Sequence, residues 1–565
     1  MTASTPTTDD VPASGSTGDD AAALADTAAT GALSDEAAPR LERVGSFSEV
    51  PPWRLPTSEL AWQRNIDVRR MVARRRVPEL TAARKIPPGP RVVRVVREVG
   101  GAVVAWRLKE RKQGGSASRA GIARRLRIAA ERLGPTYIKL GQIISSGDGI
   151  FPAELVAEFK LCRDQVPAES FDVVRSVVEA ELDRPLTEVF AEFDRTPLAA
   201  ASIAQVHRAI LREGPDGHPV EVVVKVQRPT VAPLVSLDLR VMAWLAPFLV
   251  GRIPITALAN PPALVEVFAQ TIVEELDFRL EAQNMLDVAE SFEALGQTGF
   301  VIPRPHPELV TRRMLVMERL HGFDFDEVPE IRAAGIDTHA LVRNWMIGFF
   351  EGCMIHGVFH GDLHGGNLFV MDNGKTALLD FGITGRLSQP RRVAFLRLLV
   401  ASTMNDVRGQ LAAVRDLGAL PADTDLEAVI DDLGLDGPPI DPTKLTRDEL
   451  VVEMNRVVKA LLGYGARMPK ELMLFAKNMV FLDAAIANLA PDVDLFAEIT
   501  HLATYFATTH GQRIAAEVGM NPEEYDLDLT AVKGSFGVDP STESLTYRDL
   551  QERRDLIRKR LGNRA

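Results

Sequence analysis

The sequence predicts an α+β protein of two lobes, with a helical extension before them and a largely helical second lobe. Three observations lead to this prediction: basic stretches with apolar residues at helical spacing before residue 180, short β-branched runs between 185 and 322, and helical periodicity from about 325 to 510. The predicted parts are an acidic tail (1–45), a basic extension (60–180), a first lobe (185–322), a second lobe (323–510) and a C-terminal tail (511–565).

The bulk composition is that of a globular protein with a disordered start. Hydrophobic residues make up 46% and charged residues 25% of the 565 residues, which can supply a sizeable core. Residues 1–40 contain seven acidic residues and Arg40 as the only basic one, the reverse of a signal or transit peptide. This composition predicts a disordered tail.

Charge and cysteine content narrow the function classes. The net charge of −12 argues against a general nucleic-acid binder, so no nucleic-acid partner is expected. Two cysteines, Cys162 and Cys353, provide no disulfide framework and indicate a reducing, cytoplasmic compartment.

The extension is strongly basic, with twenty Lys/Arg against five Asp/Glu between residues 64 and 132. Valines recur at near-helical spacing between 92 and 103 beside Arg94 and Arg97. This pattern fits a basic amphipathic helix on an anionic membrane surface, or a solvated helix face packed on the body of the protein. No stretch reaches the roughly 18 apolar residues of a membrane span, and the run at 241–250 is interpreted as a buried helix.

The run at 220–226 (VEVVVKV) predicts a buried strand that carries Lys225. A lysine in an apolar strand needs a partner or must reach solvent. In a kinase-type site such a lysine contacts the nucleotide phosphates and a glutamate on a helix. A predicted helix at 265–285 offers Glu274, Glu275 and Glu281 as candidates.

The phosphates also need a cradle, and the usual glycine-rich loop is absent before Lys225. The alanine-rich segment at 197–207 (PLAAASIAQVH) stands in its place, with Ala200, Ala201 and Ser202 as the candidate phosphate-binding residues. Its backbone N–H groups could approach phosphate, although alanine is less permissive than glycine. This departure argues against routine protein phosphorylation.

Two polar segments of the second lobe complete a nucleotide site. The loop at 360–367 (HGDLHGGN) places Asp362 and Asn367 five residues apart, which is the spacing of a kinase catalytic loop. Thirteen residues further, an apolar run ends in Asp380, followed by Phe381 and Gly382. Asp362 is the candidate for orienting the acceptor, and Asn367 and Asp380 are the candidate ligands of Mg²⁺, whose other ligands include phosphate oxygens.

Together these segments resemble the UbiB family of atypical kinases. The resemblance rests on residues 199–202 (AAAS), 224–229 (VKVQRP), 275–278 (ELDF) and 137–142 (YIKLGQ), and it extends over roughly residues 120 to 490. It implies a protein-kinase-like two-lobed fold that binds ATP or ADP with Mg²⁺.

The resemblance also implies roles for individual residues. Lys139 and Gln142, on a helical extension over the cleft, would meet Glu275 and Asp277 and occlude the place of a protein substrate. Lys225 would be the nucleotide lysine, and Glu281 its partner, six residues from Glu275 and so on a different helix face. Glu318 and Leu320, after the strand-like run at 310–317, complete the nucleotide-binding set.

Two departures from the family are visible. Leu363 and Gly365 stand where many members carry prolines, and the C-terminus lacks the transmembrane helices of some bacterial relatives. The basic extension is therefore the expected membrane contact, with the protein peripheral at the inner face of the cell membrane.

Three functions fit the sequence. The first is an ATPase that supports isoprenoid-quinone or other lipid metabolism at the membrane surface. The second is a phosphotransferase acting on a small molecule or a protein, and the third is a non-catalytic, kinase-shaped lipid-binding scaffold. The partners expected beside the nucleotide are an anionic membrane surface, a lipid or quinone ligand, and proteins of a biosynthetic complex.

Overall fold

The computed structural model describes residues 45–56, 58–82, 86–145, 151–161, 167–214, 217–249, 261–404, 406–435, 456, 460, 463–466, 469–519, 529–535, 538–539 and 541–562. The tail predicted at 1–45 lies outside these residues except for Gly45, and Cys162 also lies outside them.

Helices account for most of the described chain. They are α1 (Ile66–Thr81), α2 (Arg91–Val95), α3 (Gly101–Lys109), α4 (Gly115–Leu133), α5 (Pro135–Ser145), α6 (Ala153–Phe159), α7 (Phe171–Leu182), α8 (Leu186–Val189), α9 (Val231–Leu249), α10 (Pro261–Glu275), α11 (Phe278–Ala294), α12 (Val328–Ala333), α13 (Thr338–Phe350), α14 (Gln389–Thr403), α15 (Val407–Asp416), α16 (Leu426–Leu433), α17 (Lys470–Leu489), α18 (Leu495–Val518), α19 (Leu529–Ser535) and α20 (Tyr547–Gly562). Single π-turns join α2 to α3 (Val96–Gly100) and follow α13 (Glu351–His356).

The strands are short and fall into three sheets. They are β1 (Phe190–Phe193), β2 (Ala199–Ala200), β3 (Ala204–Leu211), β4 (Val220–Gln227), β5 (Phe300–Val301), β6 (Pro305–Val310), β7 (Met314–Glu318), β8 (Phe323–Asp324), β9 (Val358–His360), β10 (Leu368–Val370), β11 (Thr376–Leu378) and β12 (Thr384–Arg386).

The first lobe is an antiparallel sheet in the order β1-β3-β4-β7-β6, with β2 paired to β3. In β4, Val222, Val224 and Val226 are buried at 2% exposure or less. Because successive strand residues face opposite sides of a sheet, Lys225 projects to the other face from these valines. The run predicted as one strand at 310–317 contains the last residue of β6, the turn after it and most of β7.

The helical segment after the sheet is broken where the sequence predicted one helix at 265–285. α10 ends at Glu275 and α11 begins at Phe278, because the Asp277 side chain accepts a hydrogen bond from Arg279 N and caps the new helix. Glu275 and Glu281 therefore lie on two helices. The expected separation by helical rotation along one helix is wrong.

The second lobe is helical, with two small sheets next to the cleft. The four-stranded sheet has the order β5-β11-β10-β8, and β12 pairs with β9. β5 falls within the range predicted for the first lobe, yet it pairs in parallel with β11 of the second. The chain therefore changes lobes at Phe300 before it returns to form β6 and β7.

The N-terminal strap (residues 45–56) crosses from one lobe to the other. Trp53 is buried, and its Nε1 donates to Pro305 O of β6 at 3.1 Å. Glu49 pairs with Lys375 of the second lobe at 2.9 Å. After the strap, α1 packs on α9 and α10 through Val77 and Leu80.

Two described helices are long and apolar enough, by length and composition, to cross a membrane. They are α9 and α17, and 44% and 33% of their most apolar windows are buried inside the protein. Charged residues interrupt both helices, Asp238 and Arg240 in α9 and Lys477 and Asp483 in α17, so neither is an uninterrupted apolar run of about 18 residues.

Candidate functional site

The first group of the cleft joins both lobes through Lys225. Its Nζ lies 2.7 Å from Glu281 Oε1 on α11 and 3.1 Å from Asp380 Oδ1 of the second lobe. The Lys225 and Glu281 side chains are only 11% and 4% exposed, whereas that of Asp380 is 44% exposed and opens to the cleft. The structure thus selects Glu281 from the three glutamates that the sequence offered to Lys225.

Asp380 occupies the left-handed backbone region, with φ of 54°, which aspartate tolerates better than most residues. Its Oδ1 accepts the Gly382 N–H at 3.1 Å, a bond that holds the turn. Before this turn, Leu379 N donates to Asn367 O at 2.8 Å. The two predicted cation ligands are therefore held on adjoining backbone.

The loop at 360–367 is fixed by side chains from inside and outside it. His360 Nε2 lies 3.0 Å from both Leu379 O and Asp380 O, and Asp362 N donates to His360 Nδ1 at 3.2 Å. Asn367 Nδ2 donates to Asp362 O at 3.0 Å.

Asp362 itself is paired with Lys477 of α17, a residue that the sequence analysis did not assign. The next residue, Asn478, is fully buried and bonds the loop twice: its Nδ2 donates to His360 O at 2.5 Å and its Oδ1 accepts from Leu363 N at 3.1 Å. A Lys-Asn pair inside an otherwise apolar helical run was the signal in the sequence that could have revealed this contact.

The extension reaches the same cluster through Lys139 of α5. Lys139 Nζ lies 3.1 Å from Glu275 Oε2, and its side chain is 14% exposed. Asp277, which the resemblance placed in the same contact, instead pairs with Arg279 at 2.6 Å and caps α11. Gln142 lies one turn after Lys139 on α5 and is half-buried.

The alanine-rich segment is a tight hairpin rather than an open loop. Ala200 lies in β2, Ala201 N donates to Ala204 O at 2.9 Å, and Ser202 is buried. Arg228 closes the turn from beneath by donating to Ala201 O at 3.1 Å. Because the Ala201 N–H is already bonded within the turn, this segment has fewer free donors for phosphate than a glycine-rich loop.

Glu318 and Leu320 lie at the passage between the lobes. Glu318 ends β7, and its buried carboxylate accepts from Arg304 N at 3.1 Å and from the Ser48 hydroxyl of the strap. Leu320 follows it and is half-buried. The Glu318 side chain is thus held by the strap, and its backbone N–H donates to Arg304 O at 2.9 Å, so neither group is free to contact a nucleotide.

The charges in the cleft are unequal. Four carboxylates (Glu275, Glu281, Asp362, Asp380) face three lysines (Lys139, Lys225, Lys477). Burial, together with Asp380 and Glu275 nearby, raises the pKa of Glu281 to about 7 against the opposing effect of Lys225. Burial also raises the pKa of Glu275, against the opposing effect of Lys139.

The two aspartates show the opposite shift. Burial alone would raise the pKa values of both aspartates. Lys477 and Lys139 instead hold the pKa of Asp362 well below its usual range. Lys225 and Lys139 do the same for the pKa of Asp380. Burial would lower the pKa of Lys225, but Asp380 and Glu281 raise it. All three groups are therefore charged at neutral pH.

The donor set fits a small hard cation. Both bonds to Asp380 use Oδ1, which leaves Oδ2 without a hydrogen bond from the described residues. Asn367 uses its amide nitrogen internally, which leaves its carbonyl oxygen as the second ligand. Among the described residues no group of three or more His, Cys, Asp or Glu could hold a metal by itself. The carboxylate oxygen of Asp380 and the amide oxygen of Asn367 match Mg²⁺, which takes one or two protein oxygens beside phosphate and water.

Comparison with known proteins places these residues in context. The family model of the ABC1 atypical kinase-like domain matches residues 161–413. An uncharacterized protein of Mycobacterium tuberculosis H37Rv is 36% identical over 382 residues, which are 66% of this chain and 76% of that protein.

Two relatives carry kinase names. A chloroplastic aarF domain-containing protein kinase of Arabidopsis thaliana is 33% identical, over 66% of this chain and 73% of its own length. A probable protein kinase UbiB of Aliivibrio salmonicida is 29% identical, over 66% and 69%. The solved structure of a Mycobacterium tuberculosis protein with erythromycin covers 62% of this chain and 91% of its own at 20% identity, but its TM-score of 0.35 is too low to support an argument.

Proposed function

Because the chain belongs to the UbiB family of proteins with an ABC1 atypical kinase-like domain, we propose that it binds ATP with Mg²⁺ and hydrolyses it as a lipid-associated ATPase. Lys225 would hold the phosphates, Asn367 and Asp380 the cation, and Asp362 would orient the attacking water. The finer role, in isoprenoid-quinone or other lipid metabolism, is taken from the resemblance to the family.

The observation that carries hydrolysis, rather than transfer to a protein, is the position of Lys139. Its ammonium lies 3.1 Å from Glu275. It is also close enough to Asp362 and Asp380 to lower the pKa of both carboxyl groups. A helix of the extension thus places Lys139 beside the proposed catalytic carboxylates, where a protein side chain would have to enter. Water needs far less room.

The proposed membrane contact is the exposed face of α2 and α3. Val93, Val104 and Leu108 are 72%, 57% and 75% exposed, beside the exposed Arg94 and Arg107. Apolar side chains among arginines suit the boundary of an anionic bilayer, where each basic residue contributes about 1 kcal/mol. We propose a peripheral position at the inner face of the cell membrane on this basis.

Phosphate release from ATP tests the enzyme. Wild-type protein should release phosphate only with Mg²⁺, and Asp362→Asn and Asp380→Asn should each lower the rate about 10²-fold or more. Asp372→Asn, at an exposed turn of the second lobe, removes the same charge outside the cleft and should leave the rate unchanged.

Vesicles test the membrane part separately. Vesicles with anionic lipid should raise the rate more than purely zwitterionic vesicles, and the double variant V104S/L108S should lose this difference. Leu556→Ser, a matched change on the exposed face of α20, should keep it. Transfer of labelled phosphate from ATP to a defined acceptor would instead favour a phosphotransferase. If the Asp380→Asn variant still performed the protein's function in cells, a non-catalytic scaffold would be favoured.

A further inference from the structure

Asn284 is a buried side chain of α11 to which none of the roles above is assigned. It is 3% exposed and lies three residues after Glu281. Its Nδ2 donates to Phe381 O at 2.9 Å, directly after the cation ligand Asp380. Its Oδ1 accepts two guanidinium donors, Arg70 Nη2 at 3.1 Å and Arg386 Nη2 at 2.8 Å.

These bonds fix the orientation of the amide. A side-chain carbonyl has two lone pairs, and the two arginines use both. The reversed amide would turn its NH₂ group toward two guanidiniums, which have no acceptor, and its oxygen toward the Phe381 carbonyl. The arginines therefore determine that the donor end of Asn284 faces the backbone after Asp380.

The two arginines come from different parts of the chain. Arg386 belongs to β12, a few residues after Asp380, while Arg70 belongs to α1 of the extension, 214 residues before Asn284. Asp287, one turn further along α11, balances them: it pairs with Arg386 and lies 4.0 Å from Arg70. Burial and the neighbouring Arg386 lower the pKa of Arg70. Asp287 thus serves two cations, although Asp67 also lies 3.9 Å from Arg70. Arg70 reaches this group from α1, which packs on α9 and α10.

The contacts form a continuous path from the extension to the cation ligand. Phe381 O accepts from Asn284, and the Asp380 carboxylate before it is held by Lys225 and by the Gly382 N–H. We propose that Arg70 and Asn284 are positioning residues, through which the seating of α1 on the lobe fixes the backbone at Asp380 and thereby the binding of a divalent cation with nucleotide. This inference rests on the proposed function only in taking Asp380 as the cation ligand.

The test measures ADP binding to the full-length chain by calorimetry, with MgCl₂ and with EDTA. Asn284→Asp keeps oxygens for both arginines but removes the donor to Phe381 O and sets a carboxylate against that carbonyl. We expect about a tenfold loss of affinity with Mg²⁺, as for one lost hydrogen bond, and less than about twofold with EDTA. Arg70→Gln should act in the same direction, by about threefold to fivefold.

Arg74→Gln is the matched control. Arg74 lies one turn from Arg70 on α1, and its ion pair with Glu274 at 2.5 Å also ties α1 to the lobe. Glu274 lies on α10 rather than α11, away from the bond between Asn284 and Phe381 O. Arg74→Gln should leave unchanged the ratio of ADP affinity with Mg²⁺ to ADP affinity with EDTA. Arg70→Lys keeps the charge and a donor, so it should retain part of the Mg²⁺-dependent affinity that Arg70→Gln loses.

Several outcomes would overturn the inference. Equal losses of ADP affinity in Arg70→Gln and Arg74→Gln would mean that α1 supports the lobe in general and that Arg70 has no special role. Equal losses of ADP affinity with and without Mg²⁺ in Asn284→Asp would mean that Asn284 does not act through the cation ligand. If Asn284→Asp does not fold, the inference is tested by comparing the Mg²⁺-dependent ADP affinities of Arg70→Gln and Arg70→Lys. Wild-type protein that binds Mg-ADP but releases no phosphate would refute hydrolysis and leave this test valid, whereas no Mg²⁺-dependent binding would refute both.

Discussion

The cleft contains one lysine from inside and two lysines from outside the range that the family model matches, and the two kinds of lysine pair with different carboxylates. Lys225 comes from β4 and pairs with Glu281 and Asp380, all inside the range that the family model matches. Lys139 comes from α5 of the extension and Lys477 from α17, both outside that range, and they pair with Glu275 and Asp362.

The difference concerns what each pair depends on. The Lys225 pair is held by a sheet strand and the helix that packs on it, so it exists whenever the first lobe is folded and meets the second. The Lys139 and Lys477 pairs exist only if the extension and α17 are docked. The Lys225 group therefore lies within the range that the family model matches, whereas the charge around the loop at 360–367 also depends on α5 and α17, outside that range.

The largest effect is expected where the inner pair is broken. Lys225→Met should lower phosphate release by about 10³-fold and also weaken nucleotide binding, because it removes the phosphate ligand and leaves Glu281 and Asp380 together without a cation. Lys375→Met, which breaks the ion pair with Glu49 outside the cleft, is the control. Retention of nucleotide affinity by Lys225→Met would contradict the assignment.

Breaking the extension pair should act on stability more than on nucleotide contact. Lys139→Met leaves Glu275 buried without a partner, which we expect to lower the free energy of unfolding by about 3 kcal/mol in urea denaturation. The double variant K139M/E275Q should lose less than the sum of the single variants. Additive losses would show that the two side chains do not interact.

Glu281 and the two aspartates of the cleft should respond to pH in opposite directions. Because the folded pKa of Glu281 is about 7 and its ordinary value is 4.5, its contribution to stability is present below pH 4.5 and is lost as the pH rises to about 7. For Asp362 and Asp380, whose pKa values are lowered from 3.8, stability is present above that value and is lost as the pH falls below it.

Glu281→Gln isolates the first of these contributions. Between pH 4.5 and 7 the free energy of unfolding of the wild type should fall by an amount on the order of 2 kcal/mol. The Glu281→Gln variant should not show this fall. Urea unfolding at several pH values measures it. Identical curves for the two proteins would mean that Glu281 is ionised throughout this range.

A smaller effect is expected at the outer lysine of the catalytic loop. Lys477→Met should slow phosphate release by about tenfold and leave ADP affinity nearly unchanged, because Lys477 contacts Asp362 and not the nucleotide residues. A rate assay beside calorimetry separates the two. Equal losses in rate and affinity would remove the distinction between inner and outer lysines.

The smallest effect is expected at an ion pair with no part in the cleft. Arg175 and Glu179 lie one turn apart on α7, 2.9 Å from each other and partly exposed. Arg175→Gln should change the free energy of unfolding by no more than about 0.5 kcal/mol. A loss comparable to that of Lys139→Met would show that burial is not what separates the cleft pairs from surface pairs.

The parts of the site that were predicted are those encoded at short range. The strand at 220–226, the Asp362 and Asn367 spacing and the turn at Asp380 depend on a few adjacent residues. The break at Asp277 was missed, although an Asp before an apolar helical run is a local cap signal.

The rest depends on contacts across long stretches of chain, which composition and periodicity do not encode. Asn284 meets Phe381 97 residues away, and Lys477 meets Asp362 115 residues away. Arg70 was one of twenty basic residues in its segment, and nothing local distinguished it from its exposed neighbours.

The position of Lys477 has a consequence for how the protein comes into being on the ribosome. Asp362 leaves the exit tunnel 115 residues before its partner lysine, and domains form in the order in which they are synthesised. The nascent chain can therefore assemble its first lobe while the catalytic aspartate still lacks Lys477. The Asp362 ion pair can form only after α17 has been made, so a chain cut short after the second-lobe sheets is released without the Lys477 partner of this carboxylate.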